Sequence, residues 1–272
     1  MLCVNGAQKS GSGTIVRFSV GLAALLGEEL YLINIRAKRE KPGLRPQHLK
    51  AVQALQQICQ GSLERGEVGS REIRFKPGAR LKGGSYEWDI GTAGSTTLLA
   101  MTLLPIACFS TGAMRFRVTG GMFQDFAPSA YHMQYVLFSL LNEIGITARL
   151  SIIRPGYVPR GGGITEVEVE PATRRITPIS LVSQGNITEI LGIALSSHLK
   201  ERKVSERMAG KCNQVLESGG HHAQIEIVHD KLALQRGQFL PYMLKLVPGV
   251  LLALIGQASR DEPRKKSVNM SR

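Results

Sequence analysis

Residues 91–120, GTAGSTTLLAMTLLPIACFSTGAMRFRVTG, hold in order a glycine-rich loop, an apolar helical run at 95–110 and a strand at 114–119. The same order opens the chain at residues 11–35, GSGTIVRFSVGLAALLGEELYLINI, where the loop at 11–13 leads into a helix ending at Leu26 and a strand at 30–35. Both copies continue alike. Pro46 starts a helix with Leu49, Val52, Leu55 and Ile58 along one face, and Pro128 starts another that ends near Gly145. Strands at 71–75 and 86–90 close the first unit, and strands at 147–153 and 164–170 close the second. A period of about 80 residues is too long for a solenoid repeat and fits a duplicated βαβαββ module. The expected class is α/β (α+β), built from repeated βαβαββ modules.

Beyond Pro178 the texture changes to a strand at 187–194, a charged helix at 200–216, a strand at 224–228 and an apolar run at 239–256. Pro241, Lys245 and Pro248 break that run, and its uninterrupted part, 250–255, is far below the ~20 residues of a membrane span, so a buried helix is expected. The basic segment from Ser259 is expected to fray. Three parts result: 1–178, a core of two βαβαββ units and the start of a third; 179–235, a shortened inserted domain; and 236–272, a remnant helix and basic tail.

Among 272 residues, 34 Lys and Arg outnumber 21 Asp and Glu, a formal net charge of +13, and 43% of the chain is hydrophobic. That much apolar surface excludes a disordered chain. The excess charge points to a polyanionic partner, because Lys and Arg neutralise phosphates and release their counterions. Cys3, Cys59, Cys108 and Cys212 lie far apart without C-x-x-C spacing, which argues against a zinc site or disulfide scaffold and suits a reducing compartment. Polar Asn5, Gln8, Lys9 and Ser10 precede the first apolar run and Arg17 interrupts it, unlike a secretory signal. An intracellular location, nuclear or cytoplasmic, is expected, with no membrane contact and no stable protein partner to infer.

The densest charge is RAKREKPGLRPQHLK, residues 36–50, with six basic residues and one acid between a strand and a helix. Arg36, Lys38, Arg39 and Lys41 precede the helix, and Pro46 at its first position leaves free backbone N–H groups facing that loop. Guanidinium groups grip phosphate oxygens in pairs, and Gln47 and His48 at the helix start can donate further hydrogen bonds. Charge alone would favour a solvated loop. Glycine loops recur at 11–13, 91–95 and 161–163; glycine lets a backbone approach an anion, but a tight turn needs it too. No Walker loop, G-x-S-x-G or H-E-x-x-H sequence is present. His221, His222 and His229 lack nearby cysteines or clustered acids, so no metal ligand is assigned.

Taken in order, NGAQKSGSGTIVR (5–17), IRAKREKPGLRPQHL (35–49), GTAGS (91–95), Gly120-Gly121 with Ala127-Pro128, and GYVPRGGG (156–163) resemble the RNA 3'-terminal phosphate cyclase family over about the first two thirds of the chain. The resemblance implies a stack of βαβαββ repeats with a smaller inserted domain. It also implies an activity: ATP adenylates a histidine, the AMP passes to an RNA 3'-phosphate, and the neighbouring 2'-hydroxyl displaces it to give a 2',3'-cyclic phosphate. By resemblance, Arg17, Arg36, Arg39, Gln47 and His48 hold the RNA 3'-phosphate, while Gly91, Thr92, Gly94, Ser95, Gly161, Gly162 and Gly163 form nucleotide or phosphate loops. ATP and a divalent metal (Mg or Mn) are the implied cofactors, and RNA 3' ends the implied partner.

The chain also departs from the family pattern. The family's first loop reads roughly DG-x-x-GEGGGQ, and here Asn5, Ser10 and Thr14 replace its aspartate, its metal-associated glutamate and its glutamine. Met101 stands for an ATP-contacting glutamine, and Gly120-Gly121-Met122-Phe123 replaces a GGTD or GGTN turn. The family's nucleophilic histidine lies in a late H-x-x-T-N type segment, a context that none of His48, His132, His198, His221, His222 and His229 shares. No catalytic residue is therefore assigned, part of the insert and the final module are expected to be missing, and no covalent adenylate is expected to form on this chain. Two other classes compete: an inactive RNA-binding protein of the cyclase-like branch, acting in ribosomal RNA processing, and an enolpyruvyl transferase sharing the repeat architecture. The intact QHL favours the cyclase branch over the first, and fold analogy alone supports the second.

Overall fold

A computed structural model of the chain describes residues 1–78, 80–172, 176–182, 186–246 and 251–256. The chain divides into two compact units, Met1–Gln184 with Leu232–Gln235, and Gly185–Lys231 with Arg236–Arg272.

The first unit contains two successive modules. One runs β1 (Leu2–Asn5), α1 (Gly13–Leu26), β2 (Leu30–Ile33), α2 (Pro46–Cys59), β3 (Ser62–Glu64), β4 (Ile73–Lys76). The other runs β5 (Gly84–Asp89), α3 (Thr96–Cys108), β6 (Met114–Gly120), α4 (Ala130–His132), β7 (Ala148–Arg154), β8 (Gly163–Val169), with α4 continuing through a π-helical turn (Met133–Leu137) into α5 (Phe138–Glu143). Each module forms a four-stranded sheet, in the orders β1-β2-β4-β3 and β5-β6-β8-β7. In both, the first two strands are parallel across a helix, and the other pairings are antiparallel. The duplicated βαβαββ module is therefore present, with one correction. The strand expected at 86–90 does not close the first module but opens the second, because it pairs in parallel with β6, Tyr86 opposite Phe116. β1 and β3, at four and three residues, are sheet-edge strands too short for alternation to mark them in the sequence.

α1 begins where Ser12 Oγ accepts the Thr14 N–H and stops at Gly27 in the left-handed region, φ 67°. It buries Val16, Val20, Ala23 and Ala24 and packs on α2 and α3. Its outer face stays apolar: Phe18, Leu22 and Leu26, one turn apart, stand exposed. Two polar contacts fasten the modules and layers within this unit. Trp88 Nε1 on β5 donates to Gln57 Oε1 on α2 at 2.8 Å, and Thr96 and Thr165 hydroxyls meet at 2.9 Å between α3 and β8.

The second unit runs β9 (Ile187–Ser197), a 3-10 turn (Lys200–Arg202), α6 (Val204–Ser218), β10 (Gln224–Asp230), β11 (Gly237–Leu246) and β12 (Leu251–Gly256), with the sheet order β10-β9-β11-β12. The apolar helix expected over 239–256 is instead two antiparallel strands, Leu240 facing Gly256 and Lys245 facing Leu251. The physical reason is that β11 fills the edge of β9, and Phe239, Pro241 and Met243 are buried in the period of two that a strand imposes. A uniformly apolar run does not reveal that period. Residues past 256, including the expected frayed tail, lie outside the described residues. Among the described residues no helix is long and apolar enough to cross a membrane.

Phe116 is fully buried on β6 beside Trp88, 6.1 Å between ring centroids, and Trp88 is the one tryptophan in the sequence. Phe116→Ala is expected to cost about 3–5 kcal/mol. Urea unfolding followed by tryptophan fluorescence measures it; a loss below about 1 kcal/mol would show that the second module lacks a tight core.

Candidate functional site

Three helix starts meet in the first unit. A methyl group on Gly13, the first residue of α1, would overlap the His48 imidazole, so only glycine lets α1 and α2 approach this closely. Arg45 caps α2, and its backbone N–H donates to His48 Nδ1 at 3.3 Å. Beside His48, Gln47 Oε1 accepts the N–H of Ser95, the cap of α3, at 3.3 Å. Ser95 Oγ in turn caps α3 through the Leu98 N–H at 3.1 Å. Each helix end carries partial positive charge on its unpaired N–H groups, so the junction favours an anion.

Guanidinium groups add to that field. Arg17 rises from the second turn of α1, tied to Thr14 Oγ1 at 3.3 Å, and burial pushes its pKa down. β2 delivers Arg36 in a left-handed conformation, φ 52°. Its Nη1 bridges the carbonyls of Lys41 and Gly43 at 2.6 and 3.0 Å, which closes the basic loop on itself and leaves Nε and Nη2 for a ligand. Burial lowers the Arg36 pKa, and Arg45 and Arg39 lower it further. Lys38 Nζ reaches back to the Lys9 carbonyl at 3.2 Å.

His48 lies at the centre, 4% exposed. Burial first, then the charges of Arg17, Arg36 and Arg45, push its pKa down to about 3, so the ring is neutral at physiological pH. Nδ1 accepts from the Arg45 backbone, which puts the proton of the neutral ring on Nε2; the 3.5 Å contact of Nε2 with Gln47 Nε2 then sets two N–H donors side by side and is not a hydrogen bond. A neutral donor surrounded by three arginines suits a phosphate oxygen and does not suit a general base working near pH 7.

The glycine loops join this junction by direct packing. A methyl group on Gly94 would sit 2.6 Å from Ile90 Cγ2 and 3.1 Å from Gln47 Cβ, and one on Gly161 would sit 2.7 Å from Ala93 Cα. Gly162 packs on the Leu234 side chain, and Gly163 lies against Gly156. Gly91, φ 73°, has open space instead, and its N–H is held by Asp89 Oδ1 at 2.8 Å. Thus Gly13, Gln47, His48, Gly94, Ser95 and Gly161 form one continuous set of contacts, with Arg17 and Arg36 in the electrostatic reach of His48. Arg39 is exposed; its backbone N–H bonds the Arg36 carbonyl, and among the described residues its guanidinium has no partner.

These features can be set beside known proteins. The sequence model of the RNA 3'-terminal phosphate cyclase family matches residues 8–259. The chain belongs to this family. It is 40% identical over 212 residues to an RNA 3'-terminal phosphate cyclase of Pyrococcus furiosus, covering 76% of this chain and 61% of that protein. Proteins of the same name from Staphylothermus marinus and Nitrosospira multiformis are 39% and 40% identical over 213 and 206 residues, covering 78% and 76% of this chain and 59% and 58% of theirs. The chain spans about three fifths of the length of the curated relatives it matches.

For this cyclase-family chain, sequence reasoning missed Arg45 and Gln124. Arg45 belongs to the charged run, but as a helix cap its importance lies in its contact with His48. Gln124, with its amide turned so that nitrogen faces the Ala93 carbonyl at 2.6 Å and oxygen the Ser95 N–H at 3.1 Å, is revealed only by the tertiary structure. Mg and Mn take oxygen ligands, commonly one or two carboxylates together with water and phosphate oxygens. Asn5 Oδ1 instead accepts from the Ala7 N–H and Asn34 Nδ2, and no group of three His, Cys, Asp or Glu able to hold a metal lies among the described residues. Among the described residues this donor set does not form an all-protein cage for a divalent ion.

The lowered pKa makes a signed prediction. Between about pH 6.5 and about pH 3 the unfolded chain protonates His48 while the native chain does not, so stability falls as pH drops through that window. His48→Gln should remove that component, as read by urea unfolding at several pH values, and the His48 imidazole resonances should not titrate above about pH 5. Gly13→Ala should displace the ring and bring its midpoint back toward 6.5 without loss of helical circular dichroism, since alanine is the better helix former.

Proposed function

We propose that this junction holds the terminal phosphate of an RNA 3' end for ATP-dependent conversion to a 2',3'-cyclic phosphate. One observation carries the proposal: three helix N-termini converge with Arg17, Arg36 and Arg45 on a histidine that burial first, and the three guanidiniums second, keep neutral. Relatives bearing the name RNA 3'-terminal phosphate cyclase support the choice of ligand. Arg36 Nε and Nη2 with the Arg39 fork donate to the phosphate oxygens pairwise, and His48 Nε2–H donates to one of them. Arg17 and the helix ends offset the charge that builds as the phosphate is activated. ATP, when bound, supplies the activating AMP, and the open backbone around Gly91 offers room for its phosphates. Four free thiols, two of them buried, suit the reducing interior of a cell, nuclear or cytoplasmic.

RNA ending in a 3'-phosphate should bind at least about tenfold more tightly than the same RNA ending in a 3'-hydroxyl, since charge-assisted hydrogen bonds are worth ~1.5–3 kcal/mol. Arg39→Ala should shrink that preference and lower the salt slope by about one. Fluorescence titrations at fixed and varied salt measure both. Equal affinity for the two ends would overturn the assignment.

A further inference from the structure

The loop from Gly121 to Ser129 carries two phenylalanines in opposite surroundings. Its first half is anchored. Gly121 bridges Ser95, Phe123 bridges Tyr157, and the Phe123 ring is buried, 5.8 Å from Tyr131 and 5.4 Å from Tyr157 between centroids. Gln124 holds the loop to Ala93 and Ser95. The far end is anchored too, since the Pro128 carbonyl accepts from Thr97 Oγ1 at 2.7 Å and Ser129 Oγ caps α4 through the His132 N–H at 3.1 Å. Between these fixed ends Phe126 is 104% exposed, with φ 64°.

A left-handed backbone is strained for an aromatic residue, and a fully solvated ring returns no hydrophobic stabilisation. Such strain persists where the surrounding structure holds it, and it concentrates at ligand-binding loops. We propose that Phe126 is a stacking platform for a nucleobase of the RNA whose end the basic junction holds. This rests on the assignment of the junction to an RNA 3' end. The loop is rooted at Ala93 and at Ser95, whose N–H also reaches Gln47, so the loop that carries this ring is fixed to the junction that holds the RNA end. A single ring next to exposed Asp125 is too small and too polar in its setting for a protein-docking patch. It is sufficient for a base, because every base has a π face and one ring stacks on it. Single-stranded RNA ends present bases free to do so. Recognition of this kind tolerates all four bases.

The test is an anisotropy titration of a labelled single-stranded RNA with a 3'-phosphate. Phe126→Ala is expected to weaken binding about 5- to 150-fold and to leave the salt slope unchanged, because no phosphate contact is lost. Phe126→Trp should restore affinity. On a sugar–phosphate oligomer of the same length without bases, wild type and Phe126→Ala should bind alike. Equal affinity of the two proteins for the RNA overturns the proposal, as does a loss that persists on the base-free oligomer. An equal loss in the binding of free ATP assigns the ring to adenine of the nucleotide and also overturns it. The 3'-phosphate preference, read in the same titrations, reports the basic junction separately: absence of that preference in wild type refutes the junction reading, while the comparison with the base-free oligomer still decides the stacking.

Discussion

The absence of a side chain at Gly13 is the constraint on which the first unit depends. It lets α1 and α2 meet with an imidazole between them, and Gln47, the residue before that imidazole, then reaches the cap of α3. Three helices of 13 or 14 residues thereby point their N-termini at one place. Their dipoles add there, and three arginines add to them. The cost is desolvation first, seen in the depressed pKa values of Arg17, Arg36 and His48, and then repulsion from neighbouring arginines at Arg36 and His48. Keeping His48 neutral limits that cost, and an anion would relieve the rest.

The glycine loops gain a different meaning from this geometry. In sequence, glycine next to a helix start suggests either a turn or a close approach to phosphate. Here Gly94 and Gly161 are required because protein packs on protein: one lies between Ile90 and Gln47 and the other against the backbone of Ala93. They build the floor of the junction. Gly91, with open space around it, is the position in that loop where a ligand has room.

The duplicated module explains why residues so far apart in sequence converge. α1 and α3 are the equivalent first helices of the two modules and pack on each other, with α2 against both. Loops after equivalent strands then emerge at one side of the shared core, and Trp88 to Gln57 fastens the modules across it. This arrangement brings the helix start that follows the basic loop of the first module against the glycine loops of the second.

Much of this was legible in the sequence. The 3.6-residue spacing of Leu55 and Ile58 and the start at Pro46 fixed α2, and the alternation in residues 114–119 fixed β6, because these signals are local. The charged run at 36–50 marked the basic loop, and the motif residues marked the family. Tertiary structure alone decided the rest. Whether Tyr86 closes one module or opens the next depends on its partner Phe116, thirty residues on, and no local pattern encodes a partner. The segment at 239–256 is apolar without a visible period, so its choice of strand over helix came from the free edge of β9. Likewise, the residue type of His48 gives no hint of its charge state; burial and the convergence of Arg17, Arg36 and Arg45 set it, and those distances exist only in the folded chain.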